Sequence, residues 1–319
     1  MTISTIELNN YEFIRVSGPD TITFLQGQLS CDMEKLSPGL SLRGALCNLK
    51  GRVIADFRVL QQGEDCLLQT STGMAETIMT TLAKYAVFSK LELSIAGMPR
   101  HPLGLMGDGC ITALESIFST CPAEPDQVLQ TPAASLINIG GSPARYEIWF
   151  HAEALAATSQ SLDALKQGCP TEWSRQDIQA GTVHVGAGIS ESYTPQLLNY
   201  DLSGVIDFNK GCYTGQEIVA RMFYRGKAKK RLFLLAADVA IDERSAVIQR
   251  AASGNEPEFE IIAYANSSGD NGREQPDSGD HLLLAILNAA VADEGAAATL
   301  SLSNQPHSSL QIRSLPYTE

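Results

Sequence analysis

The segment DFNKGCYTGQEIVARMFYRGKAKKR, from Asp207 to Arg231, decides how the rest of this chain is interpreted. It brings together a cysteine, three glycines and most of the local positive charge. Gly215 leads into Gln216 to Met222, a run of mostly good helix formers with apolar residues at helical spacing. The sequence therefore predicts a glycine-containing turn followed at once by the N-terminus of a helix.

Cys212 is the candidate reactive group of this turn. It lies between Gly211 and Tyr213, two residues after Lys210. The unpaired N–H groups of a helix N-terminus and a nearby ammonium both favour a thiolate over a thiol. We therefore expect a reactive thiol at Cys212, with Lys210 as its electrostatic neighbour. The alternative is a small buried cysteine that fills a gap in the core.

Length and composition define the broad class of the protein. A chain of 319 residues can form two or three domains, each with its own core. A hydrophobic content of 44% and a charged content of 18% are those of an ordinary globular protein. No apolar run approaches the length of a membrane span, and the first residues lack the features of a signal peptide, so we expect a cytoplasmic protein.

The seven cysteines are widely scattered along the chain. No two of them show C-x-x-C spacing, and no cysteines and histidines show the spacing of a zinc or iron–sulfur site. We expect reduced thiols and no metal of the protein's own.

The charge is unevenly distributed. The net charge is −13, yet Lys210 to Arg231 contains seven basic residues and one acidic residue. A local positive region on an acidic protein indicates a specific anionic ligand or partner, because nonspecific nucleic-acid binding needs a broader field. The alternative is an ordinary solvated charge run. We call this region the basic patch, and its members are Arg221, Arg225, Lys227, Lys229, Lys230 and Arg231.

Hydrophobic periodicity predicts two cycles of strands and helices in the first part of the chain. The first cycle has strands at Tyr11–Ser17, Ser41–Asn48, Arg52–Leu60, Cys66–Ser71 and Ser89–Ile95, and helices at Ile22–Leu29 and Ala75–Tyr85. The second has strands at Leu103–Met106, Ser135–Ile139 and Arg145–Phe150, and helices at Ile111–Phe118, His151–Gln167 and Glu172–Ala180. Short turns join the three strands from Ser41 to Ser71, so we expect an antiparallel meander.

The pattern changes after Arg231. Short strands are predicted at Leu232–Ala236, Ala246–Gln249, Phe259–Ala263, His281–Ile286, Thr299–Ser303 and Leu310–Ser314. We expect a small all-β domain, a barrel, with an exposed polar hairpin loop near Ser267–Asp280.

The string KGCYTGQE resembles the signature of the YgfZ family, folate-binding proteins implicated in tRNA modification. Its matching residues are Lys210, Gly211, Cys212, Tyr213, Gly215, Gln216 and Glu217. Other segments similar to that family are FLQGQLSCD at Phe24–Asp32, LKGRV at Leu49–Val53, KYAVFSK at Lys84–Lys90, IQAG at Ile178–Gly181, TPQLLNYD at Thr194–Asp201 and LPY at Leu315–Tyr317. The likeness therefore extends over most of the chain.

The resemblance implies an α+β fold similar to that of the aminomethyltransferase, or T-protein, of the glycine cleavage system. We expect a folate-binding body of ferredoxin-like α+β halves over residues 1–225, divided at about residue 97. A small C-terminal β-barrel domain is expected over residues 226–319.

The resemblance also implies a cofactor, tetrahydrofolate or a related folate. In the family, folate contact is associated with an aromatic residue in the first strand and with a Trp that opens a later helix. These positions correspond to Tyr11 and Trp173, although the family often has Trp where this chain has Tyr11. A planar pterin needs an aromatic or apolar slot with a few polar groups, which suits such residues. Trp149 lies in the middle of a predicted strand and is expected in the core.

Three functions are compatible with these observations. The first is an accessory folate-binding protein that supports tRNA modification by maintaining iron–sulfur enzymes such as tRNA methylthiotransferases. Cys212 would then be the reactive group, and Gln216 and Glu217 would orient its turn. The second is a folate-dependent aminomethyl or one-carbon transferase, although we find no match to the acidic catalytic motif of the T-protein. The third is a module that binds tRNA or a partner enzyme through the basic patch, with no chemistry at Cys212.

Overall fold

The computed structural model describes residues 3–98, 100–151, 155–226, 228–250, 257–267, 281–292 and 299–317. The chain divides into two compact units. The first unit comprises the chain up to Pro170 together with His184–Thr194 and Gly204–Ala220. The second comprises Thr171–Val183, Pro195–Ser203 and the chain from Arg221 onward.

The first unit is a mixture of short strands and helices. Its strands are β1 (Ser4–Glu7), β2 (Tyr11–Ser17), β3 (Leu42–Cys47), β4 (Val53–Gln62), β5 (Asp65–Ser71), β6 (Glu92–Ile95), β7 (Leu103–Met106), β8 (Val128–Gln130), β9 (Ala134–Asn138) and β10 (Arg145–Phe150). Its helices are α1 (Thr21–Gln26), α2 (Ala75–Ala83), α3 (Cys110–Phe118) and α4 (Leu155–Asp163). A 3-10 turn spans Met33–Lys35.

Two five-stranded sheets organise this unit. Sheet I has the strand order β3-β4-β5-β2-β6, and sheet II has the order β1-β7-β10-β9-β8. All strand pairs in both sheets are antiparallel, and β3, β4 and β5 form the predicted meander. The apolar face of sheet I packs against α1 and α2, with Ile14, Leu25 and Ile78 fully buried in one cluster. The alternation of apolar residues in β2 reflects the face that packs against this cluster, whereas β9 and β10 are buried on both faces.

Several helix ends differ from the predicted ones. The helix predicted over Ile22–Leu29 ends at Gln26, because the residues after it leave the helix to contact β3: the N–H of Ser30 donates to the carbonyl of Ala45, at 2.9 Å. The helix predicted over His151–Gln167 spans Leu155–Asp163. Residues 166–168 bond instead to the backbone of Thr5 in β1, a strand that the sequence pattern did not predict.

Polar side chains join the two sheets of the first unit. Glu147 of β10 is buried, and its Oε2 accepts hydrogen bonds from Gln69 Nε2 at 2.8 Å and Trp149 Nε1 at 2.9 Å. Arg58 of β4 is also buried and donates from Nη1 to Asp126 Oδ1 at 2.6 Å. Burial opposes the charge of Arg58, but Asp126 and Glu147 raise its pKa overall. The two sheets are therefore held together by charges that each need a partner.

The second unit contains two helices and two small sheets. Helix α5 (Pro170–Gln179) belongs to it apart from its first residue, and α6 (Gln216–Arg225) begins in the first unit and ends in the second. Its strands are β11 (Lys230–Ala237), β12 (Val247–Arg250), β13 (Glu258–Phe259), β14 (Ile261–Ala265), β15 (His281–Asn288), β16 (Thr299–Leu302) and β17 (Leu310–Arg313). Two 3-10 turns span Pro195–Leu198 and Ala289–Ala292.

The C-terminal strands form two antiparallel sheets, with the orders β14-β15-β11-β17 and β13-β12-β16. Neither sheet closes on itself among the residues that the structure describes, so the barrel stays a prediction. The mixed α/β class with antiparallel sheets is confirmed. The hairpin loop predicted near Ser267–Asp280 lies outside the described residues except for Ser267.

No helix among the described residues is both long and apolar enough to cross a membrane. No group of three or more His, Cys, Asp or Glu side chains there is placed to hold a metal ion.

The buried charge of Arg58 should contribute to the free energy of unfolding. Arg58→Met removes the cation beside Asp126 and Glu147, and we expect it to lower the free energy of unfolding by about 3 kcal/mol. Urea denaturation measures this change.

Arg15→Met is the matched control, because Arg15 pairs with Asp65 on the same sheet but with both side chains partly exposed. An exposed pair contributes at most about 1 kcal/mol. Equal losses in the two variants would contradict the role assigned to Arg58.

Candidate functional site

The predicted turn and helix are present at KGCYTGQE. Helix α6 begins at Gln216, and Cys212 lies four residues before it with its side chain exposed. The Gln216 side chain accepts a hydrogen bond from the N–H of Tyr213 at 3.3 Å, which holds the turn. Glu217, in the first turn of the helix, is exposed. The alternative of a buried, gap-filling Cys212 is wrong.

Two glycines allow this turn and α6 to approach the β3–β4 hairpin. Gly215 has φ +84°, and a Cβ there would lie 2.4 Å from the carbonyl oxygen of Asn48. Gly51, in that hairpin, has φ +68°, and a Cβ there would lie 2.9 Å from the Cβ of Ile218. A side chain at either position would both strain the backbone and push the segments apart. The β3–β4 hairpin therefore contacts the turn and α6 through two positions that only glycine fits.

Lys210 connects the same turn to the chain after α1. Its ammonium donates to the carbonyl oxygens of Gln26, Leu29 and Cys31 at 2.7, 2.5 and 2.7 Å. Burial lowers the pKa of Lys210, while nearby acidic groups partly offset the effect. The three carbonyls belong to the FLQGQLSCD segment: that of Gln26 ends α1, where carbonyl groups lack intrahelical partners, and those of Leu29 and Cys31 follow the helix. Lys210 therefore serves as the cap of that helix end.

Further contacts join the turn to the FLQGQLSCD segment. The N–H of Thr214 donates to the carbonyl of Gly27 at 3.1 Å, and its hydroxyl donates to Gln28 Oε1 at 3.0 Å. The ammonium of Lys210 also lies 5.2 Å from the centre of the Tyr213 ring. The observed partners of Lys210 are thus backbone carbonyls and an aromatic ring, and its influence on the Cys212 thiol stays a prediction.

The cysteines differ sharply in access to solvent. Cys212 and Cys169 are exposed and Cys121 is half-buried, whereas the other four are buried. Burial raises the pKa of Cys31 to about 11 and that of Cys47, Cys66 and Cys110 to about 12. These four thiols stay protonated at neutral pH, and thiol chemistry needs the thiolate. Access therefore favours reaction at the exposed cysteines, of which Cys212 alone lies in the motif.

Tyr11 begins β2 and lies against a histidine. Its hydroxyl is 3.4 Å from His184 Nε2, and the two rings meet edge to face with centroids 5.6 Å apart. His184 Nδ1 lies 3.2 Å from Asp56 Oδ2, and Asp56 Oδ1 accepts the N–H of Val185 at 2.6 Å. A carboxylate that accepts from Nδ1 leaves Nε2 as an acceptor, so the tyrosine hydroxyl can donate to it. The series of hydrogen bonds from Asp56 to His184 to Tyr11 therefore sets the orientation of the Tyr11 ring.

Sequence reasoning missed His184 and Asp56. Asp56 is a polar residue inside an otherwise apolar stretch of β4, and His184 is a single histidine between two valines. Each feature is a weak signal alone, because 128 positions separate the two residues along the chain.

Trp173 lies in α5 of the second unit and is 3% exposed. This helix ends at a left-handed Gly181, where a Cβ would lie 2.4 Å from the hydroxyl oxygen of Tyr317. That hydroxyl donates to the carbonyl of Gly181 at 3.0 Å. The IQAG and LPY segments thus pack together and hold the end of the helix that carries Trp173. The other tryptophan, Trp149, is fully buried, as predicted.

The basic patch is smaller than its sequence indicates. Arg231 pairs with Asp201, at 2.6 Å between Nη1 and Oδ1, so its charge is largely neutralised. Lys227 and the side chain of Arg225 lie outside the described residues. The remaining members, Arg221, Lys229 and Lys230, are exposed.

Aromatic side chains lie within the same stretch of chain as the basic patch. Phe223 and Tyr224 are 41% and 68% exposed and meet edge to face, with ring centroids 5.1 Å apart. Exposed aromatic rings near cations are typical of surfaces that bind single-stranded nucleic acid.

Comparison with solved structures identifies the fold. The aminomethyltransferase T of the glycine cleavage system from Bartonella henselae superposes with a TM-score of 0.77, at 17% sequence identity, over 100% of this chain and 87% of that one. The α+β arrangement expected from the sequence is therefore the fold of a T-protein, and at this identity the likeness concerns the fold alone.

Comparison with curated proteins identifies the family. No protein-family model matches the chain. The tRNA-modifying protein YgfZ of Colwellia psychrerythraea is 32% identical over 98% of this chain and 93% of its own length. The protein of the same name from Pectobacterium atrosepticum is 30% identical over 99% of this chain and 92% of its own length. The chain therefore belongs to the YgfZ family.

Proposed function

We propose that this protein binds tetrahydrofolate, or a related folate, and supports tRNA modification. The observation that carries the proposal is the position of Cys212: an exposed thiol in a turn that Lys210 and Gly215 hold in place from two sides. The relatives are named as tRNA-modifying proteins, and the fold is that of an aminomethyltransferase T. An accessory role fits better than that of a classical enzyme, because no acidic catalytic motif of the T-protein was found in the sequence.

The folate contacts proposed from the family resemblance are Tyr11 and Trp173. Tyr11 offers an aromatic ring whose orientation is set by His184 and Asp56. Trp173 offers the larger ring and sits on a helix whose end is held by Gly181. Aromatic rings of this kind stack on planar ligands with a gain of about 1 kcal/mol beyond simple burial.

We further propose that the protein acts in the cytoplasm and maintains iron–sulfur enzymes such as tRNA methylthiotransferases. We also propose that the chain divides into a folate-binding body over residues 1–225 and a β-barrel domain over residues 226–319. A folate-dependent aminomethyl or one-carbon transferase is the alternative function, and the T-protein fold favours it.

The test of the function is tRNA nucleoside profiling in a deletion strain. We expect complementation with the wild-type chain to restore the modified nucleosides and complementation with Cys212→Ser to leave them reduced at least about tenfold, because serine cannot act as a thiolate. Cys169→Ser is the matched control, since it removes the other fully exposed thiol. Full restoration by Cys212→Ser would rule out thiol chemistry at the motif.

Trp173 is the proposed contact of the folate ring. Trp173→Ala should weaken tetrahydrofolate binding about tenfold, which corresponds to about 1.4 kcal/mol. Isothermal titration measures the affinity of each variant. In Trp149→Phe, where Trp173 is the only indole, the emission should also change when tetrahydrofolate binds. Trp149→Phe itself should keep wild-type affinity, because Trp149 lies in the core. Unchanged affinity in a folded Trp173→Ala variant would contradict the proposed contact.

If tRNA binds at the basic patch, its affinity should depend on the positive charges there. Lys229→Glu should weaken tRNA binding and lower the slope of log affinity against log salt by about one or more. Arg244→Glu makes the same charge change at an exposed position outside the patch and should leave the slope nearly unchanged. If both variants lose affinity equally, the effect is one of net charge and the patch is an ordinary solvated surface.

A further inference from the structure

A cavity of about 320 Å³ opens in the first unit beside Tyr11. Three segments line it: Tyr11–Phe13 of β2, Ile95 at the end of β6 with residues 96 and 98 after it, and Arg100–Pro102 ahead of β7. This volume falls at the lower end of the range for small-molecule sites. The cavity can hold a ring and a short polar chain.

The walls of the cavity are apolar except at one segment, which carries the guanidinium of Arg100. Ile95, Met98 and Pro102 supply apolar surface, and Arg100 and His101 supply nitrogen donors. The one acidic residue of the lining is Glu12, whose Oε2 accepts the N–H of Ala75 at the start of α2, at 3.0 Å. A helix N-terminus partly compensates that negative charge. The lining therefore suits an aromatic ligand that carries a carboxylate.

Arg100 is held in position before any ligand arrives. Its Nη2 donates to Asp163 Oδ1 at 2.8 Å, and its guanidinium carbon lies 5.2 Å from the centre of the Phe150 ring. A guanidinium has five N–H donors in a planar fork and can bind more than one carboxylate at a time. Asp163 is 54% exposed on its side chain, so it is a partner with which an incoming carboxylate can compete.

We propose that this cavity binds the p-aminobenzoyl-glutamate end of the folate, with the glutamate carboxylates at Arg100 and His101. The benzoyl ring would lie against Ile95 and Met98. The reduced pterin is a neutral ring, whereas the glutamate carries two carboxylates, which the guanidinium of Arg100 can bind. The inference rests on the proposed folate binding and adds the position of the anionic end, which neither Tyr11 nor Trp173 can neutralise.

The test compares three probes by isothermal titration: tetrahydrofolate, p-aminobenzoyl-glutamate, and 6-methyltetrahydropterin, which lacks the anionic end. Arg100→Met should weaken binding of the first two about tenfold or more and leave binding of the methylpterin unchanged. Asp163→Asn removes the competing carboxylate and should tighten binding of p-aminobenzoyl-glutamate severalfold.

The possible results of this test distinguish the assignment of the cavity from the folate function. Equal weakening of all three probes by Arg100→Met, or no weakening of any, would overturn the assignment. If Arg100→Met fails to fold, an unchanged affinity of Asp163→Asn for p-aminobenzoyl-glutamate overturns it as well. A wild-type protein that binds none of the probes refutes the folate function itself, whereas tetrahydrofolate binding that ignores both substitutions refutes this cavity alone.

Discussion

The ammonium of Lys210, buried beneath three backbone carbonyls, is the interaction on which the arrangement of the motif depends. A buried charge is costly unless its donors are satisfied, and here all three carbonyl acceptors lie between Gln26, the last residue of α1, and Cys31. Gly215 and Gly51 add a second constraint, since their close contacts hold the same turn against the β3–β4 hairpin. Three segments that are far apart in sequence thus come together in one arrangement, which carries the exposed thiol of Cys212.

Much of the fold could be predicted, because local periodicity reports which face of a strand is buried. The strands at Tyr11–Ser17, Leu103–Met106 and Arg145–Phe150 match their predicted bounds. Strands β1 and β8 were missed for different reasons: β1 pairs with β7, which is distant in sequence, whereas β8 has only three residues, too few to show a period. Helix ends were wrong where a tertiary contact, such as that of Ser30 with β3, takes over from local propensity.

The candidate site shows the same division between local and nonlocal information. The turn before α6 and the helix itself could be predicted, because the glycines and helix formers that produce them are neighbours in sequence. The orientation of Tyr11 by His184 and Asp56 depends on residues from three separate segments. Charge counting likewise overestimated the basic patch, because the partner of Arg231 is Asp201, thirty positions earlier in the chain.

The burial of four cysteines has a consequence for damage by oxidants. Peroxide attacks thiolates, and Cys31, Cys47, Cys66 and Cys110 are both shielded and held protonated. Sulfenic acid would therefore form first at surface thiols, where it neither opens a cavity nor disturbs a core. Oxidation would then fall on the exposed thiols of Cys169 and Cys212, and a reductant could reverse the sulfenic acid without unfolding the core.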